Sequence, residues 1–295
     1  LGIKVCVTDH HLPSKEYGLP EAEILVDPSQ PGDAFASKAL AGVGVAWYVL
    51  WATQTLLWAK GRKSAFKVSS LLPLVAVGTV ADVVFLDENN RRLVQAGLSA
   101  LRKGEACAGL IALAKAGYQV KSLDKLTTQD IGFGIAPRLN AAGRLETMDI
   151  GIECLLTDDA QRAKDFAKTL DALNRSRQDI EFETVEACFQ AAMNQVHEHR
   201  VGIVAFDASW HAGVIGIVAG RLKEHFYRPT FVLTREEDSG QWKGSGRSIP
   251  GVNLKDVLDA LDKRHTKVLV KFGGHAMAAG VTVAAGRIEE FCAAF

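Results

Sequence analysis

The sequence predicts an α/β protein of two domains joined by a long helix, and three observations carry that reading. An apolar run at the start, Ile3-Lys4-Val5-Cys6-Val7-Thr8, ends on Asp9-His10-His11. That is the pattern of a buried strand delivering polar side chains at its C-terminal end, where ligands bind in α/β sheets. Residues 158–201 contain neither Gly nor Pro and read as one uninterrupted helix. Beyond them, short apolar strand-like runs alternate with helical spacing, the texture of a mixed α/β domain. A chain of 295 residues is long enough for two domains of ordinary size.

In chain order, residues 37–60 read as a long helix packed on most sides. Its stretch 39–59 has about the length of a membrane span. Gly42, Gly44 and Gln54 interrupt that stretch, so it is read as a core helix. Residues 71–84 form a second, very apolar helix that ends near Asp82. Residues 89–102 have helical spacing, with Asn89 or Asn90 as N-cap. Residues 106–116 and 128–135 read as shorter helices, and 136–144, punctuated by Pro137 and Gly143, as a loop. Asp158 or Asp159 caps the long helix. At ~1.5 Å per residue, forty residues run roughly 60 Å, more than the width of a small domain, so this helix is read as a connector. The last region reads as a strand at 201–206, a helix at 213–226, strands at 230–233 and 241–248, a helix at 253–261 capped by Asn253, and strands at 267–270 and 280–283.

Formal net charge is zero, with 34 basic and 34 acidic residues, so no global field points to nucleic acid. Residues 221–271 carry eleven Lys or Arg against seven Asp or Glu. That surplus suits a solvated surface as well as a nucleic-acid groove. The five cysteines form no CxxC pair and read as buried free thiols of a reducing, cytoplasmic compartment. The chain opens without Met or a basic leader, in mid-strand, and is read as a fragment.

Four groups of residues carry candidate chemistry. Asp9, His10 and His11 are metal-capable and contiguous. Successive strand side chains face opposite ways, so the three divide between metal and phosphate contacts rather than all touching one ion. Asp82, in Gly78-Thr79-Val80-Ala81-Asp82-Val83, is a carboxylate in apolar surroundings, costly unless paired or metal-bound; a plain helix-terminal cap is the alternative. Arg138, Asn140 and Arg144 suit an anionic ligand, or brace the connector. Gly244-Ser245-Gly246-Arg247-Ser248 and Gly273-Gly274-His275-Ala276 have phosphate-binding features without the spacing of a Walker or Rossmann loop, and each could equally be a turn. His211 anchors a helix N-terminus, a ready anion site.

Together these ordered blocks resemble the DHH/DHHA1 phosphoesterase superfamily, and within it the single-stranded-DNA-specific 5′→3′ exonucleases. The blocks are Val7-Thr8-Asp9-His10-His11-Leu12-Pro13, Ala41-Gly42-Val43-Gly44-Val45-Ala46, Gly78-Thr79-Val80-Ala81-Asp82-Val83, Pro137-Arg138-Leu139-Asn140-Ala141-Ala142-Gly143-Arg144 and Gly273-Gly274-His275-Ala276-Met277-Ala278-Ala279-Gly280. The resemblance implies a DHH parallel-sheet domain at 1–156, a connecting helix at 157–199 and a mixed-sheet DHHA1 domain at 200–295. It implies phosphodiester hydrolysis with Mn²⁺ or Mg²⁺, two ions in the complete protein. Asp9, His10, His11 and Asp82 would be catalytic, with His10, Asp82 and Asp9 at the metal. Arg138, Asn140 and Arg144 would contact substrate near it. Ser245 and Arg247 would hold the 5′-terminal phosphate, with His275 on the same surface.

The implied substrate is single-stranded DNA with a 5′ end, threaded through a narrow channel and read by backbone contact and stacking. The implied setting is DNA repair and recombination by a monomer off the membrane, with a single-strand-binding protein and a helicase as partners. The family's Asp-x-Asp block and a further Asp ligand lie upstream of the His pair; Asp27 and Asp33 lie downstream and do not replace them. Its C-terminal OB domain is likewise not in this sequence. The expectation is therefore a core fragment that binds metal weakly and is inactive or nearly so alone. Two other readings stay open: hydrolysis of short oligonucleotides or cyclic dinucleotides, and a non-catalytic DNA-binding partner.

Overall fold

The computed structural model describes residues 2–13, 18–116 and 122–295. It is a mixed α/β protein that divides into two units, one of Leu1–Ala142 with Met148–Ala172 and one of Gly143–Thr147 with Leu173–Phe295. Among the described residues, no helix is long and apolar enough to cross a membrane.

In the first unit, β1 (Cys6–Thr8) pairs in parallel with β2 (Ile24–Val26), Cys6 opposite Ile24 and Thr8 opposite Val26. The buried strand expected over 3–8 is therefore a short and exposed one, with Ile3 71% exposed. The cause is its neighbourhood: β2 is its one strand partner among the described residues, and a parallel strand is buried only when both of its faces are covered. The opening apolar run and β2 are both hard to judge from sequence because each is too brief to show a period.

α1 (Gly42–Ala59) begins later than expected. The preceding residues are tied down instead, with the Ser37 hydroxyl donating to Asp87 at 2.6 Å and Leu40 and Ala41 buried. The first half of α1 is covered, with Gly44, Val45 and Trp47 buried against a 3₁₀ turn at Val68–Leu71 and α2 (Leu72–Ala81). Leu50, Trp51 and Leu56 are exposed, so the helix is not packed on most sides. Its apolar residues point in every direction, and its neighbours cover its first half but not the half from Leu50 onward.

α3 (Glu88–Arg102) crosses α2 at backbone contact. A Cβ on Gly97 would lie 2.1 Å from the Leu72 carbonyl oxygen, so no other residue fits there without moving α2. The cap of α3 is Asp87, which accepts the Asn90 N–H at 2.8 Å, and not Asn89 or Asn90. Asn90 is engaged elsewhere, its side-chain amide donating to the carbonyls of Ala39 and Phe85.

α4 (Ala108–Ala116) follows, then a π-helical turn at Asp130–Ile135 that runs directly into α5 (Ala136–Leu145). The loop expected over 136–144 is thus a helix. Pro137 is tolerated because it enters from the π-wound turn. There the backbone hydrogen bonds reach five residues back, which relieves the clash of the proline ring with the usual i−4 carbonyl. α6 (Asp149–Leu156) leads to α7 (Ala160–His197), whose 38 residues form the predicted long helix. Asp159 caps it, accepting from the N–H groups of Gln161 and Arg162. Its residues through Ala172 belong to the first unit and the remainder to the second.

The second unit is built on a five-stranded sheet ordered β3-β4-β5-β7-β6, comprising β3 (Ile203–Phe206), β4 (Thr230–Arg235), β5 (Trp242–Arg247), β6 (Leu269–Gly274) and β7 (Ala278–Val283). β3 and β4 are parallel and the other pairs antiparallel. One face packs on α9 (Leu254–Arg264) and α10 (Ile288–Ala294) through Phe231, Leu258 and Phe291. The other packs on α8 (Ile215–Phe226) and the later part of α7 through Ile203, Val218 and Cys188. Asn253 caps α9 as expected. The stretch 273–280 contains a turn, as one reading of it held: Gly273 and Gly274 end β6, residues 275–277 reverse the chain, and Ala278 to Gly280 open β7. The five cysteines are unpaired; Cys154 and Cys188 are buried, which pushes their thiols up to about 11 and about 12, whereas Cys6 is exposed.

Because α2 carries Asp82 at its end and meets α3 backbone to backbone, Gly97→Ala is expected to destabilise the first unit by about 1–3 kcal/mol. Denaturant melts would show this as a lower midpoint; an unchanged midpoint would mean the crossing relaxes freely.

Candidate metal and phosphate sites

In the first unit β1 ends at Thr8, and Asp9 extends the pairing by donating its N–H to the Val26 carbonyl at 3.0 Å. The chain then turns about the Asp9 carboxylate. One oxygen accepts the His10 N–H at 2.7 Å, the His11 N–H at 3.3 Å and the His11 Nδ1–H at 2.7 Å. The His11 bond, before the backbone ones, holds the Asp9 carboxyl below its usual range. With Nδ1 donating to Asp9, the other ring nitrogen of His11 points away from that bond. His10 is turned elsewhere: its Nε2 stands 3.6 Å from Oδ2 of Asp82, and its carbonyl accepts from the Ser29 hydroxyl at 3.0 Å. The Gly42 backbone at the start of α1 lies under its ring.

Asp82 reaches this point from the C-terminal end of α2, where its N–H donates to the Gly78 carbonyl at 3.0 Å. A carboxylate there sits at the negative end of the helix dipole, and the last turn holds no basic residue to offset it. The next residue, Val83, is 86% exposed with φ +57°, the left-handed region that a β-branched residue enters only under strain. The arrangement is electrostatically unfavourable as it stands and favourable around a cation. Two donors at about 2.1 Å from one octahedral ion lie roughly 3.0 Å apart if adjacent and roughly 4.2 Å if opposite. The His10–Asp82 spacing falls between, so this pair fits as two ligands of one Mn²⁺ or Mg²⁺. Among the described residues, no three His, Cys, Asp or Glu side chains gather as a metal cluster. Asp27 is buried in a turn and accepts from the Ser29 N–H, and Asp33 pairs with Lys38.

The three polar residues of α5 separate. Arg138, expected at the substrate, is 3% exposed. Its guanidinium meets Asp171 of α7, Nη2 to Oδ1 at 2.7 Å, and donates through Nη1 to the Gly134 carbonyl of the π-helical turn at 2.6 Å. It ties α5, the π turn and α7 together within the first unit. Asn140 is exposed. Arg144 is exposed and belongs to the second unit, where its Nη1 donates to the Gly213 carbonyl at 3.2 Å.

The second unit places Ser245 and Arg247 together by strand alternation. Gly244 and Gly246 face the core side, where a Cβ on Gly246 would lie 2.4 Å from the Phe231 ring. Ser245 and Arg247 face α8 instead. A Cβ on Gly216, in the first turn of α8, would come within 3.0 Å of the Ser245 hydroxyl and 3.1 Å of Arg247 Nη2, so that glycine opens the niche. Arg247 donates to the Ser245 hydroxyl at 3.1 Å and to the Gly246 carbonyl at 2.8 Å. Burial, and then the charge of Arg144 nearby, lower its pKa from the usual guanidinium value. No carboxylate pairs with Arg144 or Arg247 among the described residues, and the α8 N-terminus has no side-chain cap. Two cations, a hydroxyl and free helix N–H groups together favour an anion with several oxygens. His275 is exposed in the β6–β7 hairpin, at the end of the sheet where Arg247 pairs with Ala278. His211 accepts the Gly213 N–H at 3.0 Å just before α8. Nothing in the sequence pattern marks Gly216, Ser29 or Asp171 as supporting residues; each acts on a residue distant in the chain.

The DHHA1 domain family matches residues 199–295. The chain is 46% identical over 301 residues to the single-stranded-DNA-specific exonuclease RecJ of Dickeya dadantii (strain 3937), an alignment covering 98% of this chain and 51% of that protein. It spans about half the length of several curated relatives it matches. A crystal structure of exonuclease RecJ bound to manganese aligns with TM-score 0.78 and 33% identity over 100% of this chain and 68% of the other. RecJ from Thermus thermophilus in complex with Mn²⁺ aligns with TM-score 0.81 and 33% identity, over 99% and 40%, and its Mg²⁺ complex aligns with TM-score 0.79 and 32% identity, over 99% and 41%.

Removing Arg138 takes a buried guanidinium partner from Asp171 and the donor from the Gly134 carbonyl, loosening the junction of α5, the π-helical turn and α7. Arg138→Ala is expected to cost about 3–5 kcal/mol of stability, read by thermal or denaturant unfolding. A change under about 1 kcal/mol would mean the guanidinium is not a structural brace.

Proposed function

The chain belongs to the RecJ family of exonucleases, and from that premise we propose that it is the part of a 5′→3′ exonuclease that grips and cleaves single-stranded DNA. The observation that carries this reading is Asp82, a carboxylate at the wrong end of a helix for its charge, facing the His10 imidazole at 3.6 Å. His10 and Asp82 would hold a Mn²⁺ or Mg²⁺ ion. Such an ion would polarise a phosphoryl oxygen and supply a nucleophilic water at neutral pH. Asp9 orients His11 through Nδ1, leaving its other ring nitrogen for the scissile phosphate, and Ser29 fixes the backbone of His10. The family resemblance also gives Asp9 to the metal, although Asp9 does not gather with His10 and Asp82 as a three-ligand group among the described residues.

Arg247, Ser245 and Arg144 hold the 5′-terminal phosphate at the α8 N-terminus, with His275 at the same end of the sheet. A clamp on a terminal phosphate gives the direction of digestion. Asn140 meets the strand from the exposed face of α5. Arg138 acts through position, keeping α5 in place. Within the cell the activity belongs to DNA repair and recombination in the cytoplasm, by a monomer working with a single-strand-binding protein and a helicase. Two donors hold an ion weakly, so the 295-residue chain by itself is a poor metal binder and close to inactive.

Two measurements check this reading. In the complete protein, His10→Ala and Asp82→Ala should each lower Mn²⁺-dependent nucleotide release from 5′-phosphorylated single-stranded DNA by about a hundredfold or more. Activity that survives both changes would sink the catalytic assignment. For the 295-residue chain alone, brisk Mn²⁺-dependent release from the same strand would overturn the two-ligand account.

A further inference from the structure

Building on the reading of the second unit as the holder of a strand's 5′-terminal phosphate, we propose that a separate pocket there, walled by Trp210 and His211, receives the base of that first nucleotide. The pocket measures about 460 Å³ and is completed by Ser209 and, from α7, by Ile180, Glu183 and Thr184. That volume lies within the range of roughly 300–1,000 Å³ usual for small-ligand pockets. None of these six residues has a part in the hydrolysis described above.

The aromatic wall is held rigidly. Trp210 packs against the core cluster around Val214 and Ile215, and its carbonyl accepts from the Thr234 hydroxyl at 2.5 Å. The loop before it is pinned by Asp207, which accepts from both the N–H and the hydroxyl of Ser209. A fixed indole suits base stacking, which works for any base because each has a π-face. His211 has a defined tautomer for the same reason. Its Nδ1 accepts the Gly213 N–H at 3.0 Å, so in the neutral ring the proton sits on Nε2 and is available to a base carbonyl or ring nitrogen.

Charge distinguishes this pocket from the phosphate niche. No Lys or Arg lines it, and Glu183 contributes a carboxylate at its rim. That lining repels a phosphate and accepts hydrogen bonds from the amino groups of a base. The two subsites are connected through one loop: the Gly213 N–H fixes His211, and the Gly213 carbonyl holds Arg144, whose charge is felt by Arg247. A terminal nucleotide has this same division, an anionic end and a neutral aromatic body joined by a short sugar.

The test is equilibrium binding of the 295-residue chain, without divalent metal, to a short 5′-phosphorylated oligothymidylate. The comparison strand is identical but lacks the base of its first nucleotide. The wild-type chain should bind the comparison strand about tenfold more weakly. Trp210→Leu should weaken the intact strand by a similar factor and leave the comparison strand unaffected, and Trp210→Phe should restore most of the loss. Equal weakening of both strands by Trp210→Leu, or of neither, overturns the base subsite. Arg247→Ala separates this proposal from the one beneath it. If that variant still prefers the 5′-phosphorylated strand over a 5′-hydroxyl one as the wild type does, the phosphate reading itself fails. If the preference is lost while the missing base makes no difference, the base subsite alone fails.

Discussion

Two guanidinium groups held near each other, with no carboxylate paired to either among the described residues, are the constraint around which the second unit is arranged. Arg144 is fixed by a loop carbonyl and Arg247 by a strand hydroxyl and its neighbouring carbonyl, all of them neutral acceptors. Such a pair repels itself, and partial burial of Arg247 removes the solvent that would screen it. The alternation along β5 makes the arrangement possible. Glycines yield the core face to Phe231 and Leu233, and the other face delivers a hydroxyl and a cation to an uncapped helix start. Under the proposed function, an anion would relieve the repulsion and satisfy the helix N–H groups together.

The first unit shows the mirror image of that logic. Asp82 adds negative charge to the negative end of α2, and the strained backbone at Val83 follows it immediately. A neutral residue there would suit the isolated helix better. The helix tolerates the carboxylate because α2 is locked against α3 at Gly97 and cannot shift to relieve it. Under the proposed function, rigid packing behind an unfavourable charge would present that charge to a cation.

Much of the fold and of the candidate sites was legible in the sequence, and the failures have local causes. The long helix could be read because forty residues without a breaker leave few alternatives, and Asn253 and Asp159 cap as their side chains dictate. The order of the His pair and Asp82 pointed to a joint site, although only the fold brings His10 and Asp82 within 3.6 Å. Pro137 and Gly143 signalled a loop because composition does not reveal a π-wound turn, which accommodates a proline that an α-helix would reject. Arg138 and Arg144 looked equivalent in sequence. One is buried against Asp171 and the other exposed at Gly213, a distinction set by where α5 begins and which face it turns inward. Asp87 outcompeted Asn90 as a cap because Asn90 is already held by two distant carbonyls.

Two of the boundaries between the units fall inside helices, one in α5 between Ala142 and Gly143 and one in α7 between Ala172 and Leu173. A break there would strand four N–H and four carbonyl groups that the intact helix satisfies internally. Neither unit can lose its structure without creating a raw helix end in the other. Melting of the two should therefore be thermodynamically linked even where no side chain bridges them, and a single substitution deep in one unit should lower the unfolding temperature of both.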